Sequence, residues 1–231
     1  MIYVTGDTHG DRDKVKGIID QLELTEDDTL IVAGDFGFIY YDNYAEELVL
    51  NSLSLLPCTI AFVDGNHENF PAIYSDRYPV EEWNGGRVHR IHNNIYHLMR
   101  GQVFEIEGKK ILAMGGAYSV DRIYRKQNVS FWEQEIPNDE EMEEAKRNLA
   151  LHDYKVDYII THTVPSSVKF LMGFEVSQNG GQDSIFTNFL DEEIRLKVCY
   201  KKWFAGHFHM NKIVSPADNI IVLYEGVQFL D

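Results

Sequence analysis

Cysteine and proline are scarce in this sequence, and their scarcity argues against two kinds of architecture. The 231 residues include two cysteines, Cys58 and Cys199, and no C-x-x-C spacing. Neither a disulfide framework nor a cysteine-ligated zinc site is indicated. Both cysteines lie in apolar, strand-like surroundings, so we expect them to be reduced residues of the core. No proline-rich linker, repeat or low-complexity segment is present, so one domain is the simplest interpretation.

Basic residues are fewer than acidic residues, and long apolar runs are absent from the sequence. The chain has 21 Lys and Arg residues against 37 Asp and Glu residues, a formal net charge of −16 at pH 7. This charge opposes extended, non-specific binding to nucleic acid, whereas a small nucleotide needs only a local positive site. No apolar run reaches the roughly 20 residues that span a bilayer. No basic region leads into a long apolar stretch at the N-terminus, so we expect a cytoplasmic protein without a membrane segment.

The charged residues are unevenly distributed. Residues 133–144 contain seven carboxylates and no basic residue, a pattern typical of a solvated helix face. A second segment is basic and combines three arginines with three histidines: Arg87, Arg90, Arg100, His89, His92 and His97. This basic segment is interpreted either as ordinary surface or as a region that contacts an anionic substrate.

Strands and helices alternate in the first third of the sequence. Short apolar runs at residues 2–5, 30–33 and 59–63 are each followed by glycine and polar residues, as is typical of strands buried on both faces. Apolar residues at helical spacing predict helices at roughly 11–23 and 43–55. This alternation predicts βαβ units and a mostly parallel sheet.

The middle of the chain has a different pattern. Short segments separated by turn residues predict antiparallel strands at 87–91, 95–98, 102–107 and 110–115. An irregular aromatic stretch follows at 117–137, and Asn138 or Asp139 is the expected N-cap of a helix at 138–153. Further strands are predicted at 156–161, 199–205, 211–216 and 219–224, and helices at 166–171 and 184–196. We expect a single domain, residues 1–231, with an irregular and helical insertion at about 117–153.

Residues that can bind metal follow five of the predicted strands. In open α/β sheets, ligands gather beyond the carboxyl ends of the strands. Each motif alone is a common turn or a structural histidine, but five such coincidences in one chain are not expected. Carboxylates, an amide and imidazoles without a thiolate suit Mn, Fe, Zn or Ni better than Ca or Mg. Seven candidates are too many for one closed site and suit two ions; they are Asp7, His9, Asp35, Asn66, His162, His207 and His209.

The same residues, in this order, resemble the motifs of the calcineurin-like metallophosphoesterases. The family pattern is D-x-H, G-D-x-x-D, G-N-H-D/E, a lone H and G-H-x-H. The corresponding segments are Gly6-Asp7-Thr8-His9-Gly10, Gly34-Asp35, Gly65-Asn66-His67-Glu68, Thr161-His162 and Gly206-His207-Phe208-His209. The resemblance implies an α/β fold in which two mixed β-sheets pack as a sandwich flanked by helices, with the metals at one edge.

The resemblance also implies a role for each matching residue. The first divalent ion would be bound by Asp7, His9 and His209, the bridge would be Asp35, and the second ion would be bound by Asn66, His162 and His207. Manganese is the expected metal, with iron, zinc or nickel as alternatives. A hydroxide shared by the two ions would attack a phosphate mono- or diester. His67 would act as general acid toward the leaving oxygen.

Two positions depart from the family pattern. Phe38 replaces the second acid of G-D-x-x-D, and Ile39 stands where related protein phosphatases have an arginine. A serine/threonine protein phosphatase is therefore a less favoured alternative. In the absence of that acid, we expect Glu68 or Asp42 to orient His67, which makes Glu68 a second catalytic candidate.

Substrate contacts are expected from the segment that begins at Gly115 and Gly116. Glycines let the backbone approach a ligand closely, and Arg122 can bind phosphate through two hydrogen bonds. We therefore expect Arg122, Tyr118 and Asn66 to bind the substrate; an ordinary turn with a surface arginine is the alternative. Aromatic residues of the same segment either stack on a base or form a satellite core; they are Tyr124, Phe131 and Trp132.

Two classes of function are compatible with this sequence. The favoured one is a dinuclear phosphoesterase, with a nucleotide-type substrate preferred over a phosphoprotein. The alternative is a non-catalytic, metal-binding interaction scaffold that retains the fold. It is disfavoured because all seven ligand positions and His67 are filled.

Overall fold

The first apolar runs of the chain form parallel strands that are covered on both faces. The computed structural model describes residues 1–174 and 181–231. The three runs are β1 (Ile2–Thr5), β2 (Thr29–Ala33) and β3 (Thr59–Val63), which pair side by side in parallel. Every residue of β2 is buried, as expected for a continuous apolar run in a central parallel strand.

Two helices connect these strands, and a side-chain cap sets the start of each. In α1 (Arg12–Gln21) the Asp11 carboxylate accepts a backbone N–H of the first turn, and in α2 (Tyr44–Leu53) the Asn43 side chain does the same. A capping oxygen satisfies one of the N–H groups that a first helical turn leaves unpaired. Both helices lie within the segments predicted from helical spacing, so the βαβ opening is confirmed.

The middle of the chain extends this first sheet and begins a second one. After the short helix α3 (Phe70–Ile73), an antiparallel meander is formed by β4 (Val80–Trp83), β5 (Gly86–His92) and β6 (Ile95–Leu98). β6 also pairs in parallel with β3. The next two strands, β7 (Gln102–Ile106) and β8 (Lys109–Met114), form an antiparallel hairpin at one edge of the second sheet.

The last part of the chain completes both sheets. The strands added to the second sheet are β9 (Tyr158–Thr161), β10 (Lys202–Ala205), β11 (Lys212–Ser215) and β12 (Ile220–Val222), in the order β11-β12-β10-β9-β8-β7. The final strand, β13 (Val227–Phe229), returns to the first sheet, whose order is β13-β1-β2-β3-β6-β5-β4. Both sheets contain parallel and antiparallel pairs and are therefore mixed.

Between β8 and β9 the chain is first irregular and then helical. Two short 3₁₀ turns lie at Arg122–Tyr124 and Glu133–Glu135. Asn138 then caps α4 (Asp139–Leu151) through a capping box with Glu141, one of the two caps that the sequence predicts. The later helices are α5 (Ser166–Leu171) and α6 (Gln182–Phe189), and a π-helical turn at Leu190–Arg195 continues α6.

Three clusters of buried side chains define the layers. The central cluster joins the two sheets, with Val4 and Val63 from the first and Ile160 and Phe204 from the second. A second cluster lies between the first sheet and helices α1 and α2, and a third lies between the second sheet and helices α4 to α6. The predicted sandwich of two mixed sheets flanked by helices is confirmed. Within residues 1–174 and 181–231, no helix is both long and apolar enough to cross a membrane.

Some predictions about individual elements are wrong. Cys199 is exposed, because β10 begins only at Lys202, whereas Cys58 is buried as expected. Strands β4 and β13 and helix α3 have no predicted counterpart. β4 and β13 are the two edges of the first sheet, where one side of a strand faces solvent and the apolar signal is weak.

The two charged segments differ in part from their interpretation: Arg87 and Arg90 are exposed, as expected for ordinary surface, but other residues of the two segments are buried. Arg100 is 4% exposed; its Nε donates to Asp64 at 2.9 Å and its Nη1 donates to Glu141 at 3.0 Å. Burial alone would raise the pKa of Asp64, but the charges of Arg100 and His97 lower it to about 2. Glu135, in the acidic run, is fully buried. Arg100 therefore forms buried ion pairs and is not available at the surface. The acidic run, residues 133–144, is not exposed to solvent along its whole length.

Removal of the buried guanidinium should destabilise the protein strongly. In Arg100→Met the Asp64 carboxylate keeps His97 but loses its guanidinium partner, and we expect the free energy of unfolding to fall by about 3–5 kcal/mol. Arg87→Met is the matched control, because Arg87 pairs with Glu144 of α4 while its side chain is 53% exposed. Its loss should cost about 1 kcal/mol or less. Urea denaturation measures both values, and equal losses would contradict the importance of the buried pair.

Candidate metal centre

The loops that follow β1, β2, β3, β9 and β10 meet at one edge of the sandwich. The first three belong to one sheet and the last two to the other, so the site lies across the two sheets. Two groups of side chains place their possible metal-binding atoms within 4.8 Å of one another: Asp7, His9 and His209 in one, and Asp7, Asp35 and His162 in the other. The structure therefore brings together residues that are up to 202 positions apart, from Asp7 to His209.

The first group surrounds one oxygen of Asp7. Asp7 Oδ2 lies 3.1 Å from His209 Nε2 and 3.6 Å from His9 Nε2, and these two nitrogens are 2.9 Å apart. This oxygen is buried and has no hydrogen-bond partner among the described residues. A buried carboxylate oxygen without a hydrogen bond, facing two imidazole nitrogens, fits a bound divalent cation.

The second group is organised by the orientation of His162. His162 Nδ1 lies 2.8 Å from the carbonyl oxygen of Ala33, which can only accept, so Nδ1 carries a proton. Its Nε2 faces Asn66 Oδ1 at 3.2 Å and Asp35 Oδ1 at 3.4 Å. An imidazole whose other nitrogen donates to a carbonyl group is the usual form of a metal-binding histidine. Burial opposes protonation of His162, but the charge of Asp35 raises its pKa to about 10, so a bound metal would have to displace the proton on Nε2.

The carboxylates of Asp7 and Asp35 each lie close to both groups of candidate ligands. Asp35 Oδ2 lies 3.8 Å from His9 Nε2, while Asp35 Oδ1 faces His162, and Asp7 is a member of each group. Burial raises the pKa of Asp7, and the nearby charge of Asp35 adds to this effect. For Asp35, burial also favours the neutral form, but the charge of His162 outweighs it and lowers the pKa. The sharing of Asp7 is a feature that the sequence did not predict.

His207 lies next to the second group. Its ring centroid is 5.1 Å from that of His162. Burial, together with the charge of His162, lowers the pKa of His207 to about 3. The imidazole is therefore neutral at physiological pH, which is the form that can bind a metal.

Backbone hydrogen bonds fasten the loops of the site to one another. The amide of His9 donates to the Asp35 carbonyl oxygen at 2.8 Å, and the amide of His67 donates to Asp35 Oδ1 at 2.7 Å. The amide of His207 donates to Asp7 Oδ1 at 2.9 Å. The loops after β1, β2, β3 and β10 are thus directly joined, and the position of each candidate ligand depends on the others.

Four of the candidate ligands have a left-handed backbone. The φ angles are +48° for His9, +47° for Asp35, +69° for His207 and +48° for His209. Such φ values are uncommon for residues other than glycine and cost about 1–3 kcal/mol each. Four of the twelve non-glycine residues with positive φ in the described part of the chain are therefore candidate ligands of one site, and the surrounding contacts hold them in this conformation.

Two motif glycines make room for ligand side chains. A Cβ on Gly34, whose φ is +90°, would lie 2.1 Å from His162 Nδ1. A Cβ on Gly65 would lie 2.0 Å from Asp35 Oδ1. Any side chain at either position would displace a candidate ligand, which explains why glycine accompanies the ligands in these motifs.

His67 is half-buried at the border of the site. Its ring lies edge-on to that of His9, with centroids 5.4 Å apart. Burial lowers the pKa of His67, and the positive charge of Arg125 contributes to the shift while Asp35 opposes it. The imidazole is therefore close to the first group of candidate ligands.

The partners predicted for His67 lie elsewhere. Glu68 is fully buried, and its carboxylate oxygens accept the backbone N–H groups of Phe36 at 2.6 Å and Gly37 at 3.4 Å. Asp42 pairs with Arg77 at 2.9 Å. The expectation that Glu68 or Asp42 orients the His67 imidazole is therefore wrong. Glu68 holds the loop after β2, and burial raises its pKa well above the usual range.

The predicted substrate residues of the 117–137 segment mainly contact one another. Arg122 Nε donates to Glu135 Oε1 at 2.6 Å, and its guanidinium lies 4.3 Å from the ring centroid of Tyr118. A Cβ on Gly115 would lie 2.6 Å from Asp64, and one on Gly116 would lie 2.8 Å from the Glu135 carbonyl oxygen. These glycines therefore allow close packing of the protein chain, rather than the expected approach to a ligand.

The aromatic residues of the same segment divide between surface and interior. Trp132 is buried, whereas Tyr124 is 87% exposed. The satellite core is therefore the correct interpretation for Trp132. Tyr124 is available at the surface for stacking.

Three residues that contact the site were not predicted. Tyr224 stacks on His209, with ring centroids 4.5 Å apart and planes 14° apart. Lys14 Nζ donates to the Asp7 carbonyl oxygen at 2.7 Å and lies 4.4 Å from the Tyr224 ring centroid. Ser119 Oγ accepts a hydrogen bond from the Asn66 side chain at 3.0 Å. No motif predicts these contacts, because each residue lies outside the segments that resemble the family motifs.

Comparisons with known proteins identify the family of the chain. No curated protein matches the chain. A solved structure, a sulfate thiohydrolase SoxB from Thermus thermophilus in complex with glycerol, matches with a TM-score of 0.40 and 10% sequence identity. The match covers 94% of this chain, which spans only 36% of the length of that protein. A family model, calcineurin-like phosphoesterase, matches residues 1–211. The chain therefore belongs to the calcineurin-like phosphoesterase family.

Proposed function

We propose that this protein is a dinuclear, metal-dependent phosphoesterase that hydrolyses a phosphate mono- or diester. The observation that carries the proposal is the pair of ligand groups that share Asp7, one of them built around a buried oxygen without a hydrogen bond. Membership of the family supports the class of reaction. The scaffold alternative does not require this convergence of carboxylates and imidazoles, so we favour the enzyme.

Seven residues would hold the two ions. Asp7, His9 and His209 are assigned to the first ion and Asn66, His162 and His207 to the second, with Asp35 between them. Manganese is the preferred metal, with iron, zinc and nickel as alternatives, because the donors are oxygen and nitrogen atoms. When bound, the two ions supply a hydroxide nucleophile near neutral pH and neutralise the charge of the phosphoryl group.

His67 is the proposed general acid. It is half-buried beside the first group, and its backbone N–H is fixed to Asp35. A lowered pKa makes its imidazolium a stronger acid but reduces the protonated fraction at neutral pH. An incoming phosphate group, being negatively charged, would raise that fraction in the bound state.

The chain offers an arginine for the phosphate group. Arg125 Nη1 donates to Ser119 Oγ at 2.6 Å, and Ser119 in turn contacts Asn66. The positive charge of Arg125 also contributes to the lowered pKa of His67, and we propose that this guanidinium contributes to binding of the phosphate group. Direct substrate contacts of Tyr118 and Arg122 remain predictions.

A nucleotide-type substrate is the favoured class. The exposed ring of Tyr124 offers an aromatic surface on which a base can stack. A protein phosphatase is less favoured because Phe38 and Ile39 are both buried and offer no group for a phosphorylated residue. The whole of residues 1–231 is proposed to act as one domain, and a cytoplasmic location remains a prediction.

Loss of a shared carboxylate should remove metal and activity together. In Asp35→Asn the two groups lose a common negative charge, and we expect bound manganese to fall well below two equivalents and turnover of a nitrophenyl phosphate or its bis-ester to fall more than about 100-fold. Metal analysis and the two ester assays measure these quantities. Asp42→Asn is the control, since Asp42 is exposed and pairs with Arg77. A manganese-loaded wild type that cleaves neither ester nor any nucleotide would favour the scaffold alternative.

The effect on the hydrolysis rate of removing the proposed general acid should depend on the leaving group of the substrate. His67→Ala should retain both ions and slow the hydrolysis of an alkyl phosphate ester by about 100-fold or more. A nitrophenyl ester should be affected much less, because nitrophenolate leaves without a proton. His92→Ala, which changes a histidine that contacts Asn51, is the control. Equal slowing of both esters, or no slowing, would show that His67 is not the acid.

The pH dependence should follow the protonation of His67. Its pKa is lowered from 6.5, so the fraction that can donate a proton rises as the pH falls below neutrality. We therefore expect kcat/KM for the alkyl ester, divided by that of the nitrophenyl ester, to increase toward acidic pH in the wild type. The same ratio should be independent of pH in His67→Ala, and a persistent slope in that variant would contradict the assignment.

A further inference from the structure

An asparagine can bind a metal only through the oxygen of its amide group. The two ends of the amide have nearly the same shape, but the oxygen accepts whereas the nitrogen only donates. A half-turn about the last side-chain bond of Asn66 would present its NH2 group to His162 Nε2 and replace the oxygen that now lies 3.2 Å away. Something must therefore determine which end faces the candidate metal centre.

Ser119 is one neighbour that distinguishes the two ends. Asn66 Nδ2 donates to Ser119 Oγ at 3.0 Å, and Arg125 Nη1 also donates to this oxygen, at 2.6 Å. The single proton of the hydroxyl group points to Glu135 Oε2, which is 2.8 Å away. With its proton committed to a carboxylate, Ser119 Oγ can only accept from Asn66. A rotated amide would place oxygen against oxygen.

Glu135 is held so that it keeps this hydrogen bond. It is fully buried, and its Oε1 accepts the backbone N–H of Ser119 at 2.9 Å and Nε of Arg122 at 2.6 Å. The carboxylate thus has a partner for each oxygen and no route to solvent. Because Ser119 and Asn66 are also buried, water does not compete for these hydrogen bonds.

We infer that Ser119 and Glu135 are positioning residues that fix the amide orientation of Asn66 and thereby complete the binding site of the second ion. The inference rests on the proposed metal centre and goes beyond it. It gives the 117–137 segment a role in assembling the site, with the direction of each hydrogen bond set by the buried carboxylate.

Manganese binding to the full chain tests this inference directly. In Ser119→Ala the amide of Asn66 loses its acceptor, and calorimetric titration of the metal-free protein with Mn²⁺ should show the second ion bound roughly 10- to 100-fold more weakly. Binding of the first ion, at Asp7, His9 and His209, should be unchanged. Ser130→Ala is the control, since Ser130 Oγ contacts Lys126 in the same segment. It should leave both dissociation constants unchanged.

Two further variants separate the hydrogen bond from steric effects. Ser119→Thr and Ser119→Val introduce side chains of almost the same shape, but only threonine keeps the hydroxyl group. We expect the threonine variant to bind the second ion at least ten times more tightly than the valine variant. Glu135→Gln should resemble Ser119→Ala, because a glutamine NH2 group donates to Ser119 Oγ and frees the hydroxyl proton to turn toward Asn66.

Electron paramagnetic resonance supplies a second readout. Wild-type protein with two equivalents of Mn²⁺ should give the signal of an exchange-coupled pair, and Ser119→Ala at the same loading should give isolated and free Mn²⁺. Equal affinities in the threonine and valine variants, or unchanged binding of the second ion in Ser119→Ala, would overturn the inference. So would a wild type that binds only one ion. A wild type that binds two ions but cleaves no ester would contradict the phosphoesterase proposal alone.

Discussion

The rest of the site depends on two buried carboxylates, Asp7 and Asp35, which the fold holds beside imidazole nitrogens. Charged groups are costly to bury without partners, and here the surroundings push the two groups in opposite directions. Burial raises the pKa of Asp7, whereas the charge of His162 lowers that of Asp35 despite its burial. A divalent cation bound by both would favour the ionised form of each. The arrangement of these two carboxylates is therefore best explained as a binding site for a cation.

The strain at the ligands shows what the remainder of the fold must supply. Four candidate ligands with left-handed backbone together cost on the order of several kcal/mol, a large share of the roughly 5–15 kcal/mol by which a domain is stable. The candidate ligands come from both sheets, with Asp35 after β2 and His162 after β9. The central cluster that joins the sheets thus sets the distance between the two halves of the site. Hydrogen bonds such as that from His207 to Asp7 then fix each half in place.

Much of this arrangement can be predicted from the sequence, because the ligands follow buried apolar strands and carry recognisable side chains. Such patterns are local, and they place Asp7, Asp35 and His162 at strand ends without knowledge of the fold. The burial and the hydrogen-bond partners of Glu68 and Glu135 cannot be predicted in this way. Each is a carboxylate in a polar segment, and its burial depends on partners distant in sequence, the Phe36 amide for one and Ser119 for the other. A local sequence pattern does not predict such hydrogen bonds.

The replacement of the usual acid by Phe38 has a physical consequence for His67. Phe38 is buried and packs on Phe36, with ring centroids 4.7 Å apart, so this position contributes to the core and not to the site. His67 is then located by its backbone N–H on Asp35 and by edge contact with His9. Both of these contacts are made by candidate ligands. Since the same residues place the proposed acid and the proposed metal site, any change that moves Asp35 or His9 also moves the acid, and the two functions cannot be altered independently through them.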